Sequence, residues 1–170
     1  TLDVTNDVFI AKTGKMTYKS DRAAEDTTYE VRGGSTGIFC PPMGGQCVLT
    51  FTPGGSLSFE DTANAADATI NVEGGEGDSA PPGQVIFRGN ASAGDASPAQ
   101  AEFRTKGGRR GPSLSGELDG DGGQVIFQNT STASDAVFEN EGIADWYGGT
   151  GGRTIFTNNS TADRATINNH

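Results

Sequence analysis

The stretch GGRTIFTNNSTADRATINN, from Gly151 to Asn169, has a residue spacing that returns three more times in the chain. The other units read GGSLSFEDTANAADATIN (Gly54–Asn71), GQVIFRGNASAGDA (Gly83–Ala96) and GGQVIFQNTSTASDAVFEN (Gly122–Asn140). Counted from the phenylalanine of each unit, alanines follow six and nine positions later in all four units. A fixed spacing under changing side chains indicates a repeated structural unit whose copies share a core. The chain is therefore expected to be a solenoid.

Each unit alternates apolar and polar residues on both sides of a polar bend. In the last unit Thr154 and Phe156 alternate before the bend, and Ala165 and Ile167 alternate after it. This two-residue period is typical of a strand. Helix is disfavoured because glycine, asparagine and β-branched residues fall inside every segment, and no apolar set recurs with a helical period. We expect each unit to be a strand, a tight bend and a second strand.

The distance between units predicts how they stack. Their phenylalanines are separated by 28, 40 and 29 residues, and a step near 28 residues is about one coil of a parallel β-helix. The chain is thus predicted to be all-β, a parallel β-helix of about four to five coils, with a loop inserted at Lys106–Gly120. The expected core ladders of like side chains are Phe59, Phe87, Phe127 and Phe156, and Ile70, Phe138 and Ile167.

The repeat pattern GGxxxFxNxSTAxxAxIxN resembles the repeats in the passenger regions of bacterial autotransporters and other large secreted surface proteins. The resemblance covers about Gly54 to His170. It implies a right-handed parallel β-helix and a secreted, extracellular or cell-surface location. Those proteins include adhesins, enzymes and structural stalks, so the resemblance does not select an activity. This chain departs from the family in its short length and irregular insertions.

The composition changes near residue 52, which predicts an N-terminal cap or arm over 1–52 and the β-helix repeats over 53–170. The first region contains both cysteines, Cys40 and Cys47, in the segment FCPPMGGQCV. Two prolines and two glycines bend that segment back on itself, which favours a disulfide. Two thiols alone cannot form a closed zinc site. A disulfide indicates an oxidising compartment and hence secretion.

The segment Asp3–Ile10, with the sequence DVTNDVFI, is long enough for a strand. Solenoids need caps, because an open end exposes the apolar interior and an unpaired strand edge. Two alternatives remain open at this point. The segment either folds over the first coil of its own molecule or adds to the sheet of a neighbour, and in the second case Val8, Phe9 and Ile10 form an interface.

A second candidate interface precedes the phenylalanines. Strand alternation places Ile86, Ile126 and Ile155 on the face opposite to the phenylalanine ladder, where they would form an apolar stripe. Either the N-terminal segment or the Lys106–Gly120 loop covers this stripe, or another chain does. The sequence finishes at INNH without a segment that resembles a cap. We therefore expect either a piece of a longer β-helix or a final coil covered by another copy, and head-to-tail contacts of that kind generate filaments.

Charge disfavours nucleic acid as a partner, and hydropathy disfavours a transmembrane helix. The net charge of −10 disfavours nucleic acid, whose phosphates select for excess lysine and arginine. The chain has no run of 18 apolar residues, so no transmembrane helix is expected.

Catalysis has little support in the sequence. The single histidine is the terminal His170, and the acidic residues are dispersed, so no catalytic residue and no cofactor is predicted. Calcium is the one candidate metal. Glu117, Asp119 and Asp121 lie close together in GELDGDGG and carry the oxygen ligands that calcium prefers. The alternative is that these acids are solvated turn residues.

These observations favour a secreted, noncatalytic structural or adhesive surface protein. Its candidate partners are other copies of the same chain, with which it would form filaments, and surface glycans. The rival is a carbohydrate-active β-helix enzyme or a carbohydrate-binding module.

Overall fold

The computed structural model describes residues 6–20, 24, 27–41, 46–94, 100–111, 118–143 and 149–170. These residues contain strands and no helix, as the residue spacing predicted. In chain order the strands are β1 (Asn6–Ile10), β2 (Lys15–Tyr18), β3 (Thr27–Val31), β4 (Ser35–Phe39), β5 (Val48–Thr52), β6 (Ser56–Phe59), β7 (Thr69–Val72), β8 (Gln84–Phe87), β9 (Glu102–Thr105), β10 (Arg110–Gly111), β11 (Leu118–Asp119), β12 (Gln124–Phe127), β13 (Val137–Asn140), β14 (Arg153–Phe156) and β15 (Thr166–Asn169).

Two parallel sheets form the body of the protein. The first has the strand order β1-β3-β7-β9-β13-β15, and the second has the order β2-β6-β8-β12-β14. Apart from the two antiparallel pairs, successive strands belong alternately to the two sheets. Each new strand lies beside the previous strand of its own sheet. The predicted parallel β architecture is therefore confirmed, and it is compatible with a β-solenoid. Two antiparallel pairs, β4–β5 and β10–β11, stand apart from these sheets.

The core consists of ladders of like side chains in register. In the second sheet Phe59, Phe87, Phe127 and Phe156 pair in sequence along neighbouring strands. Their rings stack with centroids 4.7, 4.7 and 4.9 Å apart. In the first sheet the ladder runs through Ile70, Phe103, Phe138 and Ile167. The two ladders meet inside the protein, where the ring of Phe103 lies edge-on to Phe87 at 5.8 Å.

The N-terminal residues continue both sheets. Strand β2 pairs with β6 and strand β3 pairs with β7, both in parallel. Tyr18 takes the place of a phenylalanine in the ladder, stacked on Phe59 at 5.4 Å. Its hydroxyl shares a hydrogen bond with the hydroxyl of buried Tyr29. The division at residue 52 was predicted from composition, but strands on both sides of it belong to the same two sheets.

Strand β1 answers the question about the N-terminal segment for residues 6–10. It pairs in parallel with β3 of its own chain, with Val8 opposite Tyr29 and Ile10 opposite Val31. The segment therefore forms the outer strand of the first sheet.

The bends contain sharp corners at which the backbone is left-handed. The second residue after each ladder aromatic has a positive φ: Ser20, Asp61, Gly89, Asn129 and Asn158. A second left-handed residue follows five positions later in three of the units: Ala66, Ser134 and Asp163. Glycine, asparagine and aspartate tolerate this conformation better than other residues, which explains the polar composition of the bends. Between the corners Asn64, Ser92, Thr132 and Thr161 join successive units by parallel bridges.

Candidate functional site

The loops of the protein leave the body at equivalent places in successive units. Each follows a strand of the first sheet and returns to a strand of the second sheet. We call the surface that they form the loop face and define it, for the described residues, as 35–41, 46–53, 76–82, 109–111, 118–121, 143 and 149–150. Insertions in repeat proteins commonly map to one face, and that face is often the binding surface.

Glycines mark where these loops begin. Two residues after strands β3, β7, β9 and β13 lie Gly33, Gly74, Gly107 and Gly142, respectively. A β-carbon on Gly33 would lie 1.9 Å from the carbonyl oxygen of Gly74, and one on Gly74 would lie 2.4 Å from that of Gly107. Only glycine permits backbones to approach so closely. The signal is present in the sequence as RGG, EGG, KGG and EGI, but a repeat counted from the phenylalanines does not include it.

The residue before each of these glycines is charged, and the sign alternates along the row Arg32, Glu73, Lys106 and Glu141. Glu73 is only 14% exposed and lies 3.8 Å from the guanidinium of Arg32 and 3.4 Å from that of Arg109. Both arginines are about half exposed, so each pair contributes at most about 1 kcal/mol. The alternation nevertheless avoids like charges on adjacent strands.

Backbone hydrogen bonds join the bases of the loops. The Thr36 N–H donates to the carbonyl of Glu76 at 2.9 Å, and its hydroxyl donates to the carbonyl of Asp78 at 2.8 Å. The Gly77 N–H donates to the carbonyl of Arg109 at 2.9 Å. Parallel bridges connect Ser35, Glu76 and Arg109 in the same order. The loop bases therefore form a continuous ladder that positions whatever extends beyond them.

The largest described loop is the antiparallel hairpin β4–β5. Its strands pair from Ser35 opposite Thr52 to Phe39 opposite Val48. The predicted disulfide is confirmed: Cys40 and Cys47 are bonded at the next position, with their α-carbons 4.2 Å apart. A covalent bond at this end keeps the two strands in register and reduces the conformational freedom of the unfolded loop.

The hairpin exposes apolar side chains. Ile38 is 39% exposed, Phe39 58%, Val48 49% and Phe51 54%. Ile143, at the base of a later loop, is 39% exposed. Within the described part of the chain, the only other large apolar residues exposed to this degree are Phe9 and Ile167. Clustered exposed apolar side chains mark interaction surfaces more often than isolated ones do, so the loop face is the candidate functional site.

The predicted isoleucine stripe lies elsewhere, on the second sheet. Ile86, Ile126 and Ile155 pair in register along β8, β12 and β14. Ile86 is 9% exposed, and the other two are partly buried. Polar side chains border the stripe, with Gln84 hydrogen-bonded to Gln124 at 3.3 Å. On the other side Arg88 donates to Gln128 at 3.1 Å.

Strand β1 separates the three N-terminal interface candidates. Ile10 is 5% exposed and belongs to the core, and Val8 is partly buried against it. Phe9 points outward and is 65% exposed. The guanidinium carbon of Arg32 lies 6.0 Å from the centre of its ring, within the range of a cation–π contact.

Two of the calcium candidates, Glu117 and the side chain of Asp119, lie outside the described residues. Asp121 is described: its carboxylate accepts a hydrogen bond from the Thr150 hydroxyl at 3.3 Å, and its backbone carbonyl accepts one from the Gly75 N–H at 2.7 Å. No group of three or more potential metal ligands occurs in the part of the chain that the structure describes. Calcium binding at these acids stays a prediction that chelation tests.

Two side chains in the described part of the chain, Tyr29 and Glu139, have shifted pKa values. Burial, followed by the hydrogen bond with Tyr18, raises the pKa of Tyr29 far above its usual value of 10.0. At the other end of the first sheet, a hydrogen bond from His170 at 2.6 Å and one from Asn168 at 2.8 Å lower the pKa of Glu139. Neither group lies on the loop face, so both shifts reflect the packing of ladders.

Comparison of the chain with protein-family models, curated proteins and solved structures found no match. The described residues include no helix of the length and apolar character needed to cross a membrane.

Proposed function

We propose that this chain is a secreted, noncatalytic β-solenoid that acts as a structural or adhesive element of a cell surface or an extracellular filament. In this proposal the two sheets are the walls of a parallel β-helix of about four to five coils, and the loop face makes the contacts. Right-handed coiling is supported by the general rule that connections between parallel strands of one sheet are right-handed in roughly 98% of cases.

The proposal rests on one difference between the body and the loop face: the body pairs its outward polar groups, whereas the loop face exposes apolar side chains. On the body, outward polar groups are satisfied by the next strand, as in the bond from the amide of Asn71 to Glu30 at 2.6 Å and that from Asn168 to Glu139 at 2.8 Å. On the loop face, Phe39, Val48 and Phe51 are about half exposed. A rigid body that carries exposed apolar side chains on one face is suited to contact rather than to chemistry.

The disulfide supports the proposed location. A bond between Cys40 and Cys47 persists in oxidising compartments such as the extracellular space and is rare in reducing ones. The net charge of −10 favours solubility outside the cell and disfavours nucleic acid as a partner.

The sheet edges support filament growth as the mode of assembly. Strands β1 and β15 are the outer strands of the first sheet, and β2 and β14 are those of the second. An outer strand has backbone groups without a neighbour in its sheet. Stacking β14 and β15 of one copy against β2 and β1 of the next would continue both sheets, and such head-to-tail contacts do not close.

Electron microscopy of the purified chain at high concentration tests the assembly. We expect unbranched filaments of stacked solenoids, and particles that stay separate at every concentration would overturn filament formation. Adhesion is tested by coating beads with the protein and measuring their attachment to cells and to immobilised polysaccharides. We expect the double substitution of Phe39 and Val48 by serine to reduce attachment several-fold. A double substitution of Thr62 and Asn90 by serine, two exposed residues away from the loop face and the outer strands, should leave it unchanged. Equal attachment of all three proteins would overturn the role of the loop face.

A further inference from the structure

The outer edge of the β4–β5 hairpin lacks a neighbouring strand in the described structure. Thr36 lies opposite Phe51, but its N–H donates away from β5, to the carbonyl of Glu76 at 2.9 Å. In an antiparallel ladder this direction shows that Thr36 and Phe51 are a non-hydrogen-bonded pair. The N–H and C=O of Phe51 therefore point away from β4. Leu49, two residues earlier, has the same direction. No described residue bonds to these groups of Leu49 and Phe51.

A hairpin of two strands is marginal in water unless it packs against something else. Strand alternation places Ile38, Leu49 and Phe51 on one face and Phe39 and Val48 on the other. Phe39 and Phe51, one on each face, are 58% and 54% exposed. The hairpin therefore has both a free hydrogen-bonding edge and unburied apolar surface.

The charge distribution favours a second copy of this chain as the occupant. The protein has a net charge of −10 and 34 acidic and basic residues among 170, yet residues 33–59 include none of them. Two copies repel each other over most of their surfaces because they share the same net charge. The uncharged hairpin is where they can approach without that repulsion. An anionic lipid surface would be repelled by the same net charge.

The sequence of β5 is self-complementary about Thr50. If two β5 strands pair antiparallel with Thr50 opposite Thr50 of the second copy, Leu49 lies opposite Phe51 of the second copy, and the reverse pair forms on the other side of the axis. Leu49 and Phe51 of the second copy then form a hydrogen-bonded pair in which each N–H donates to the carbonyl of the other residue. The reverse pair does the same, which gives four backbone hydrogen bonds. Apolar pairs across neighbouring strands add stability.

We propose that the chain forms a two-fold dimer through antiparallel pairing of β5 with β5 of a second copy, centred on Thr50. The pairing converts two hairpins into one four-stranded sheet with the order β4-β5-β5-β4, and Leu49, Phe51 and Ile38 of both copies share one face of it. The contact is isologous and closes at two copies. It is thus distinct from head-to-tail stacking and does not depend on it.

Sedimentation velocity of the oxidised full chain, from micromolar to millimolar concentration, tests the dimer. Like charges directly opposite each other destabilise strand pairing, so Thr50→Glu and Thr50→Lys are each expected to raise the dimer dissociation constant at least tenfold. Mixing the two variants places opposite charges on the axis, and a heterodimer is expected that weakens as salt is added. This rescue also shows that both variants fold. The matched control is Thr62→Glu with Thr62→Lys, because Thr62 is an exposed threonine outside the hairpin and outside the outer strands.

Leu49→Pro provides an independent test of the edge. Its N–H points away from β4, so proline removes an outward donor without removing a bond within the hairpin, and outer strands tolerate proline. We expect this variant to lose the dimer. A wild type that stays monomeric to millimolar concentration, no rescue on mixing, or a dimer that persists in Leu49→Pro would each overturn the proposal. Wild-type assemblies whose size is unchanged by Thr50→Glu would assign assembly to another surface and reject the dimer, while leaving the proposed filament intact. Monomers that bind phosphatidylcholine vesicles would assign the hairpin to lipid and also reject the dimer.

Discussion

Phe87 lies directly beneath Phe127, with ring centroids 4.7 Å apart and planes inclined by 7°. The two strands that carry them pair in parallel and in register. Offset stacking of aromatic rings is favourable beyond the area that it buries, and the same contact recurs between Phe59 and Phe87. The aromatic ladder therefore joins units that are far apart in sequence.

Truncation within this ladder is expected to be costly. Phe87 is fully buried with a ring stacked on each side, so Phe87→Ala should lower the free energy of unfolding by about 3–5 kcal/mol. Denaturant titration followed by circular dichroism measures this value. Phe9→Ala is the control, because Phe9 is 65% exposed, and its cost should stay below about 1 kcal/mol. Equal losses for the two variants would contradict the ladder as the main source of stability.

The glycine row predicts a second sensitive position. A β-carbon at Gly74 would lie 2.4 Å from the carbonyl oxygen of Gly107 and 2.6 Å from its carbonyl carbon. Neither atom can move without shifting the next unit, so Gly74→Ala should destabilise the protein by about 1–3 kcal/mol or more. At Gly37 the nearest atom is the hydroxyl oxygen of Thr50, at 2.9 Å, and a side chain can rotate away. Gly37→Ala should therefore cost less, and thermal unfolding of the two variants in parallel checks the order.

The left-handed corners predict that two substitutions at one position differ in their effect on stability. Asn129 has φ 61° and is exposed. Asn129→Val should destabilise the protein by about 1–2 kcal/mol, because a β-branched residue is strained in this region. Asn129→Gly should be nearly neutral, since glycine adopts a positive φ without strain. Denaturation midpoints of both variants measure the difference, and a valine variant as stable as the glycine variant would refute the corner argument.

Tyr29 predicts a dependence of stability on alkaline pH. Its pKa is raised in the folded protein, first by burial and then by the hydrogen bond with Tyr18. The stabilisation that follows is complete below the unfolded value of about 10 and is lost as the pH rises toward the raised folded pKa. We expect the free energy of unfolding to fall above about pH 10 in the wild type and to fall less in Tyr29→Phe.

The control for this pH dependence is Tyr18→Phe, which leaves Tyr29 buried. Burial is the larger cause of the shift, so the loss of stability above about pH 10 should persist in this variant. Urea titrations between pH 8 and pH 11 compare the three proteins. An unchanged slope in Tyr29→Phe would show that other groups dominate the alkaline response.

The local pattern of the sequence determined the type of element and the ladder positions. A two-residue alternation around a polar bend predicts strands. The constant spacing that follows each phenylalanine predicts which residues share a row, because stacked parallel strands repeat the same pattern. The disulfide was also predictable, since the prolines and glycines between Cys40 and Cys47 already bend the chain.

The tertiary structure alone decided how far the ladders extend and where the loops meet. Residues 6–31 carry a tyrosine in place of the ladder phenylalanine, yet Tyr18 completes the row, because a neighbouring tyrosine from another strand satisfies its hydroxyl. The exposed edge of β5 is likewise invisible in the sequence, since it depends on Thr36 bonding to Glu76, 40 residues away. Spacing along a chain is a local property, whereas burial and unpaired edges depend on neighbours that only the folded chain brings together.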